Sequence, residues 1–191
     1  MIRIAVVGGI GSGKSHIAKL FSYPVFNADL EVIKIYKTNK QCFKNLKKKL
    51  PKYFSSFPIQ KEQIIKAVSD NEINLRKITN IIHPVIRKKM NIFLKDNKKK
   101  DAVILDIPLL LENKLNQSGD IIIFIQSKKI EIMSRLKKRD NFNLDLLNKL
   151  KKMQLPLNYK KKKSHFIIKN NFTNKSAKMS IIKILKKIFK R

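Results

Sequence analysis

The chain alternates short, nearly unbroken apolar runs with longer stretches in which apolar residues recur every three or four positions. Ile2 to Val7, Asp101 to Asp106, Ile121 to Ile125 and Ser164 to Lys169 are runs of the first kind, and their length and β-branched content predict strands buried in a sheet. Tyr23 to Asp29 predicts a shorter strand that stops at a carboxylate. Helical spacing marks His16 to Phe21, a segment beginning at Leu30, Gln60 to Val68, Glu72 to Ile82, Val85 to Leu94, Lys128 to about Lys138, and the tail from about Lys175. In that tail Ile181, Ile182, Ile184, Leu185, Ile188 and Phe189 form a stripe with lysines opposite, which fits a helix packed on a sheet better than one lying on a membrane. No strand is expected between residues 38 and 100. The pattern is therefore that of an α/β fold with a helical insertion, and Pro84, suited to the first turn of a helix, predicts a boundary after His83.

The turn after the first strand carries the most specific chemistry. Gly8-Gly9-Ile10-Gly11-Ser12-Gly13-Lys14-Ser15 matches the phosphate-binding pattern G-x-x-x-x-G-K-[S/T] at every fixed position, between a strand and a helix as the motif requires. Consecutive backbone N–H groups can curl around phosphate oxygens only where no Cβ intervenes, and four of the chain's five glycines lie here. Lys14 can reach the β- and γ-phosphates of a nucleoside triphosphate, and the Ser15 hydroxyl can ligate a bridging Mg²⁺.

Other candidates sit near the predicted strand ends. Asp29 is placed to face a metal or an acceptor, or to cap the next helix; the roles are compatible. Asp106 can orient a Mg²⁺-bound water or bond a neighbouring loop. For His83 and Arg87 spacing alone favours a cap and a surface cation over roles in an acceptor site. Arg135 and Arg139 share a helix face, and with Arg87 they make three of six arginines in a chain that otherwise uses lysine. The bidentate guanidinium fork matches phosphate oxygens, so this pair suggests a lid over the triphosphate.

Charge tempts towards a different class. The formal net charge is +31, but only six of the 44 basic residues are arginine, and neither Arg readers nor interleaved aromatics accompany the lysine runs. Lys47-Lys48-Lys49, Lys98-Lys99-Lys100 and Lys160-Lys161-Lys162-Lys163 read as solvated faces and helix ends, and nucleic-acid binding is not expected as a main function. Cys42 is the only cysteine, and His16, His83 and His165 lack metal-ligand spacing. With no leader before the first strand and no long apolar span, a soluble cytoplasmic protein without a membrane role is expected.

Taken in order, the phosphate loop, Asn27-Ala28-Asp29, His83-Pro84-Val85-Ile86-Arg87, Asp106-Ile107-Pro108-Leu109-Leu110-Leu111-Glu112, Arg135 to Asp140, Met153-Gln154 and Asn170 resemble the dephospho-CoA kinase family over residues 2 to about 170. The resemblance implies a P-loop kinase fold in one domain: a five-stranded parallel sheet flanked by helices (core about 1–37, 101–133 and 164–191), a helical substrate-binding region (about 38–100) and a lid (about 134–160). It implies transfer of the ATP γ-phosphoryl group to the ribose 3′-hydroxyl of dephospho-CoA, with Mg²⁺, by a monomer or weak homo-oligomer. ATP would be held by Gly9, Ile10, Gly11, Ser12, Gly13, Lys14, Ser15, His16, Arg135, Arg139 and Asn170. Asp29, His83, Arg87, Asp106 and Leu109 would serve dephospho-CoA, with Asp29 as the acid at the acceptor hydroxyl and Arg139 as the lid arginine. The chain departs from the family pattern at Asn27 (usually an acid), His16 (usually Thr), Ser164-His165 (usually Ala-Asp) and Phe172, where glycine is common. Two other readings remain: a P-loop kinase for another nucleotide or small alcohol, and a nucleic-acid-binding ATPase.

Overall fold

The five expected strands form one all-parallel sheet in a computed structural model that describes residues 1–138 and 142–190. They are β1 (Ile2–Gly8), β2 (Val25–Asn27), β3 (Ala102–Asp106), β4 (Ile121–Gln126) and β5 (Phe166–Lys169), in the order β2-β3-β1-β4-β5. β1 is central: residues 4–8 are all buried, and it pairs with β3 (Val6 opposite Asp106) and with β4 (Gly8 opposite Ile125). The chain places β2 and β3 on one side of β1 and then β4 and β5 on the other, so the carboxyl end of β1 lies where the winding reverses, which is where open α/β sheets bind ligands.

The chain divides into two compact units, residues 1–27 with 97–191, and residues 28–96. In the first, Ile4, Val6, Ile104, Ile123, Ile125 and Ile168 meet Ile17, Ala18 and Phe21 from α1 (Lys14–Leu20) and its cap. Ala177, Ile181, Ile184 and Ile188 of α9 (Asn174–Phe189) complete that core. The stripe on α9 is narrower than its sequence suggests, since Ile182 stays 53% exposed. Ala5, Val7, Val103 and Leu105 alternate with the first set and are also buried, so β1 and β3 are covered on both faces. The segment before β5 supplies α6 (Lys129–Lys137), α7 (Leu144–Lys152) and α8 (Leu157–Lys162).

One lysine in the expected solvated run departs from that reading. Lys160 of α8 is 1% exposed, and its Nζ lies 2.6 Å from Glu112 Oε1, which also accepts from the Leu155 backbone N–H at 3.0 Å. The neighbours of Lys160 in the run are exposed. A buried ammonium needs such a partner, and Glu112 closes the turn that follows β3.

The elements of the second unit are all helices: α2 (Ala28–Thr38), α3 (Lys40–Lys49), α4 (Lys61–Asp70) and α5 (Glu72–Asp96). The Asn39 side chain caps α3 by accepting from Cys42 N, and Gln60 with Gln63 forms a capping box on α4. The boundary expected at Pro84 does not occur, and α5 runs through it for 25 residues. An interior proline costs about 3 kcal/mol. Ile78, Ile82, Ile86 and Met90 nevertheless line up one turn apart across it and are all buried, each contributing about 1.5–3 kcal/mol. Packing therefore outweighs the break, and His83 lies mid-helix and caps nothing. β2 likewise ends at Asn27, two residues earlier than expected, which puts Asp29 in the first turn of α2 and not at its cap.

Candidate active site

At the carboxyl edge of the sheet the loop from Gly8 to Gly13 is shaped by what packs against it. Gly11 has φ +79, and a Cβ there would stand 2.9 Å from Ile132 Cγ2 and 3.1 Å from Leu136 Cγ, so its absence lets α6 close on the loop. Gly13 has φ +88, and a Cβ there would collide with Asn170 Nδ2. Asn170, 4% exposed, donates through that amide to Ser12 O at 2.9 Å, and Ser127 Oγ donates to the same carbonyl at 2.9 Å. The loop is thus anchored to the ends of β4 and β5. Lys14 Nζ donates to Gly9 O at 2.8 Å, placing a buried ammonium within the loop it must serve.

Asp106 ends β3 beside this loop, 1% exposed, with Asn27 Nδ2 donating to its Oδ2. Burial lifts its carboxyl above the ordinary value, and the Ser15 hydroxyl, the Lys14 ammonium, the Asn27 amide and Lys19 draw it back. Its Oδ1 is buried with no hydrogen-bond partner. A hydroxyl, a carboxylate with a spare oxygen and a nearby ammonium suit a hard cation that takes most of its oxygens from water and phosphate, and such a cation is held by one or two carboxylates. No cluster of three or more His, Cys, Asp or Glu able to hold a metal occurs among the described residues.

A model of the dephospho-CoA kinase family matches residues 2–176. The dephospho-CoA kinase of Wolbachia sp. subsp. Brugia malayi is 31% identical over 185 residues, covering 94% of each chain. The chain belongs to the dephospho-CoA kinase family.

The likeness extends to solved structures. A Thermus thermophilus protein superposes with a TM-score of 0.78 at 20% identity, covering 98% of this chain and 97% of its own. The dephospho-CoA kinase of Campylobacter jejuni does so with 0.63 at 23% identity, covering 97% and 96%. At these identities the two likenesses concern the fold, which is that of P-loop kinases.

Within this kinase fold the first unit brings together Gly9, Ile10, Gly11, Ser12, Gly13, Lys14, Ser15, Asp106 and Asn170. His16 is the third residue of α1, its Nε2 2.7 Å from Asn174 Oδ1, and Leu109 is half-buried in the turn after Asp106. Arg135 stands on α6 with its Cζ 4.4 Å from the centre of the Phe172 ring. Arg139 lies outside the described residues. A concavity of about 420 Å³ beside the loop is lined by Ser127, Glu131, Lys169 and Asn170.

Asp29, His83 and Arg87 belong to the helical unit. His83 is half-buried, and burial first, then Arg87 one turn on, hold its imidazole below the usual range. Arg87, Lys88 and Lys95 line a concavity of about 520 Å³ along α5. Ser127 escaped the sequence reading, since a serine after a strand carries no signature of its own. Its place directly after β4, across from the loop, is the only hint.

The membrane expectation meets one structural fact: no helix among the described residues is long and apolar enough to cross a bilayer.

Proposed function

We propose that this chain transfers the γ-phosphoryl group of ATP to the ribose 3′-hydroxyl of dephospho-CoA, giving CoA and ADP. The observation that carries the proposal is the complete phosphate loop facing a buried strand-end carboxylate, Asp106, in a chain of this family.

Phosphoryl transfer asks the protein mainly to position groups and neutralise charge. The loop N–H groups and Lys14 hold the triphosphate, with Asn170 and Ser127 fixing the loop through Ser12 O. Ser15 and Asp106 are the residues that would hold Mg²⁺, the latter through water; when bound, the ion screens the charge of the β- and γ-phosphates. Asp29 orients the acceptor hydroxyl and takes its proton, an exposed carboxylate in the first turn of α2. Arg135 and Arg139 serve ATP from the region about 134–160, which acts as the lid. The helical region about 38–100, with His83 and Arg87, and Leu109 of the turn after β3 shape the acceptor site. His83, held neutral by burial and by Arg87, acts as a hydrogen-bonding group rather than a cation. Cys42, buried and unpaired by any second cysteine, suits a reducing cytoplasmic setting.

The test is incubation with Mg²⁺, ATP and dephospho-CoA, with product mass as readout. CoA should form with the wild type and fall by about 10² or more with Lys14→Ala and with Asp29→Asn. ATP hydrolysis without CoA formation would sink the reading.

A further inference from the structure

Phe172 has φ +61, the left-handed region that a bulky L-residue adopts only under constraint. The loop itself supplies the constraint: Asn170 Oδ1 accepts from Phe172 N at 2.9 Å, and the Asn170 amide is locked to Ser12 O. Glycine would satisfy the same turn without strain. The side chain is only half-buried and is absent from the main hydrophobic core, so packing of the fold does not account for an aromatic here. Its ring has two neighbours of interest. One edge, Cε1, lies 3.3 Å from where a Cβ on Gly13 would stand, so the ring borders the phosphate loop. One face carries the Arg135 guanidinium, with Cζ 4.4 Å from the ring centre, inside cation–π range.

Arg135 itself is exposed, near the end of a helix whose Ile132 and Leu136 close on Gly11. A free arginine on such a helix samples many rotamers; one stacked on a ring presents a flat, oriented cation. We propose that Phe172 is a positioning residue for ATP. It holds the Arg135 guanidinium as a platform beside the phosphate loop, on which the purine base of ATP stacks. The inference rests on the kinase reading above for the identity of the nucleotide. The strained backbone at residue 172 is the counterpart of that role, since the turn keeps the ring aimed at Arg135.

The test measures equilibrium binding of Mg·ATP and of inorganic tripolyphosphate, alongside KM and kcat, for Phe172→Leu, Phe172→Tyr, Arg135→Ala and the double variant Phe172→Leu/Arg135→Ala. Leucine keeps the apolar bulk and the left-handed backbone but lacks the ring face. It should weaken ATP binding and raise KM for ATP about two- to fivefold, with kcat, KM for dephospho-CoA and tripolyphosphate affinity unchanged. Tyrosine should restore wild-type affinity, and the double variant should bind ATP no more weakly than Arg135→Ala alone. Phe172→Gly, free of strain, should show the same ATP defect without a fall in Tm. ATP affinity unchanged in Phe172→Leu, equal losses for ATP and tripolyphosphate, or losses that add to those of Arg135→Ala would each overturn the inference. Because ATP binding is read without an acceptor, failure here is distinct from failure to make CoA.

Discussion

Replacing Lys160 with methionine removes one half of a buried ion pair and leaves the other in place. At 2.6 Å, the Lys160–Glu112 attraction is about 6 kcal/mol at an effective dielectric constant of 20. Desolvation of each ion costs several kcal/mol, so the intact pair is close to neutral for stability. Lys160→Met abolishes the attraction but not the cost, because the Glu112 side chain is only 10% exposed and remains held by Leu155 N. The expected loss is about 3–5 kcal/mol, which for a chain of this length is a fall in Tm of about 6–20 °C. Urea unfolding followed by circular dichroism, with calorimetry for Tm, measures it. Adding Glu112→Gln keeps an acceptor for Leu155 N and removes the orphaned charge, so the double variant should recover more than half of the loss. A single-variant cost below about 1 kcal/mol, or strictly additive effects of the two substitutions, would refute the reasoning.

Two further predictions concern protons. Asp106 has a carboxyl raised chiefly by burial, so its contribution favours the fold while it is protonated and is lost as pH rises from the unfolded value through the folded one. Asp106→Asn should therefore raise Tm of the ligand-free protein at pH 7, by an amount that shrinks as pH falls towards about 4 and is gone below it, while phosphoryl transfer drops about 10²-fold or more. An unchanged or lower Tm at pH 7 would contradict this. His83 is shifted the other way, so its neutral form stabilises the helical unit above the unfolded value, and that stability is lost as pH falls through the folded one. An NMR titration should place its midpoint below 6.5, and Arg87→Ala should move it partway back up. A midpoint at or above 6.5 would remove both burial and Arg87 as causes.

The sheet and the phosphate loop were legible because their signals are local. Unbroken apolar runs mark β1, β3 and β4, and glycine spacing marks the loop. The misread positions were settled by contacts distant in sequence. Pro84 looks like a helix start until Ile82 and Ile86 are seen buried on the same face of α5. Lys160 looks solvated among four consecutive lysines, and only Glu112, far back in the chain, makes its burial tenable. Asp29 looked like the end of a strand, but β2 is an edge strand of three residues, and pairing with β3 stops where Asn27 meets Asp106. Phe172 itself gives no signal for its left-handed backbone, which only the glycine common at that place in the family pattern hints at and which is held by an asparagine two residues earlier.

The central place of β1 has a consequence for the order in which the protein is made. Ile2 pairs with Ala102 and Ile4 with Ile121, so β1 leaves the ribosome about a hundred residues before either partner and waits for them. At typical synthesis rates of about 5–20 residues per second that interval is about 5–20 s, during which the helical unit of residues 28–96 is completed from contacts within itself. Throughout it, Ile2 to Val7 is an unpaired apolar strand, the kind of segment that drives association between nascent chains. A chain with a formal net charge of +31 repels its own copies, and its lysine load works against that association while β1 stands alone.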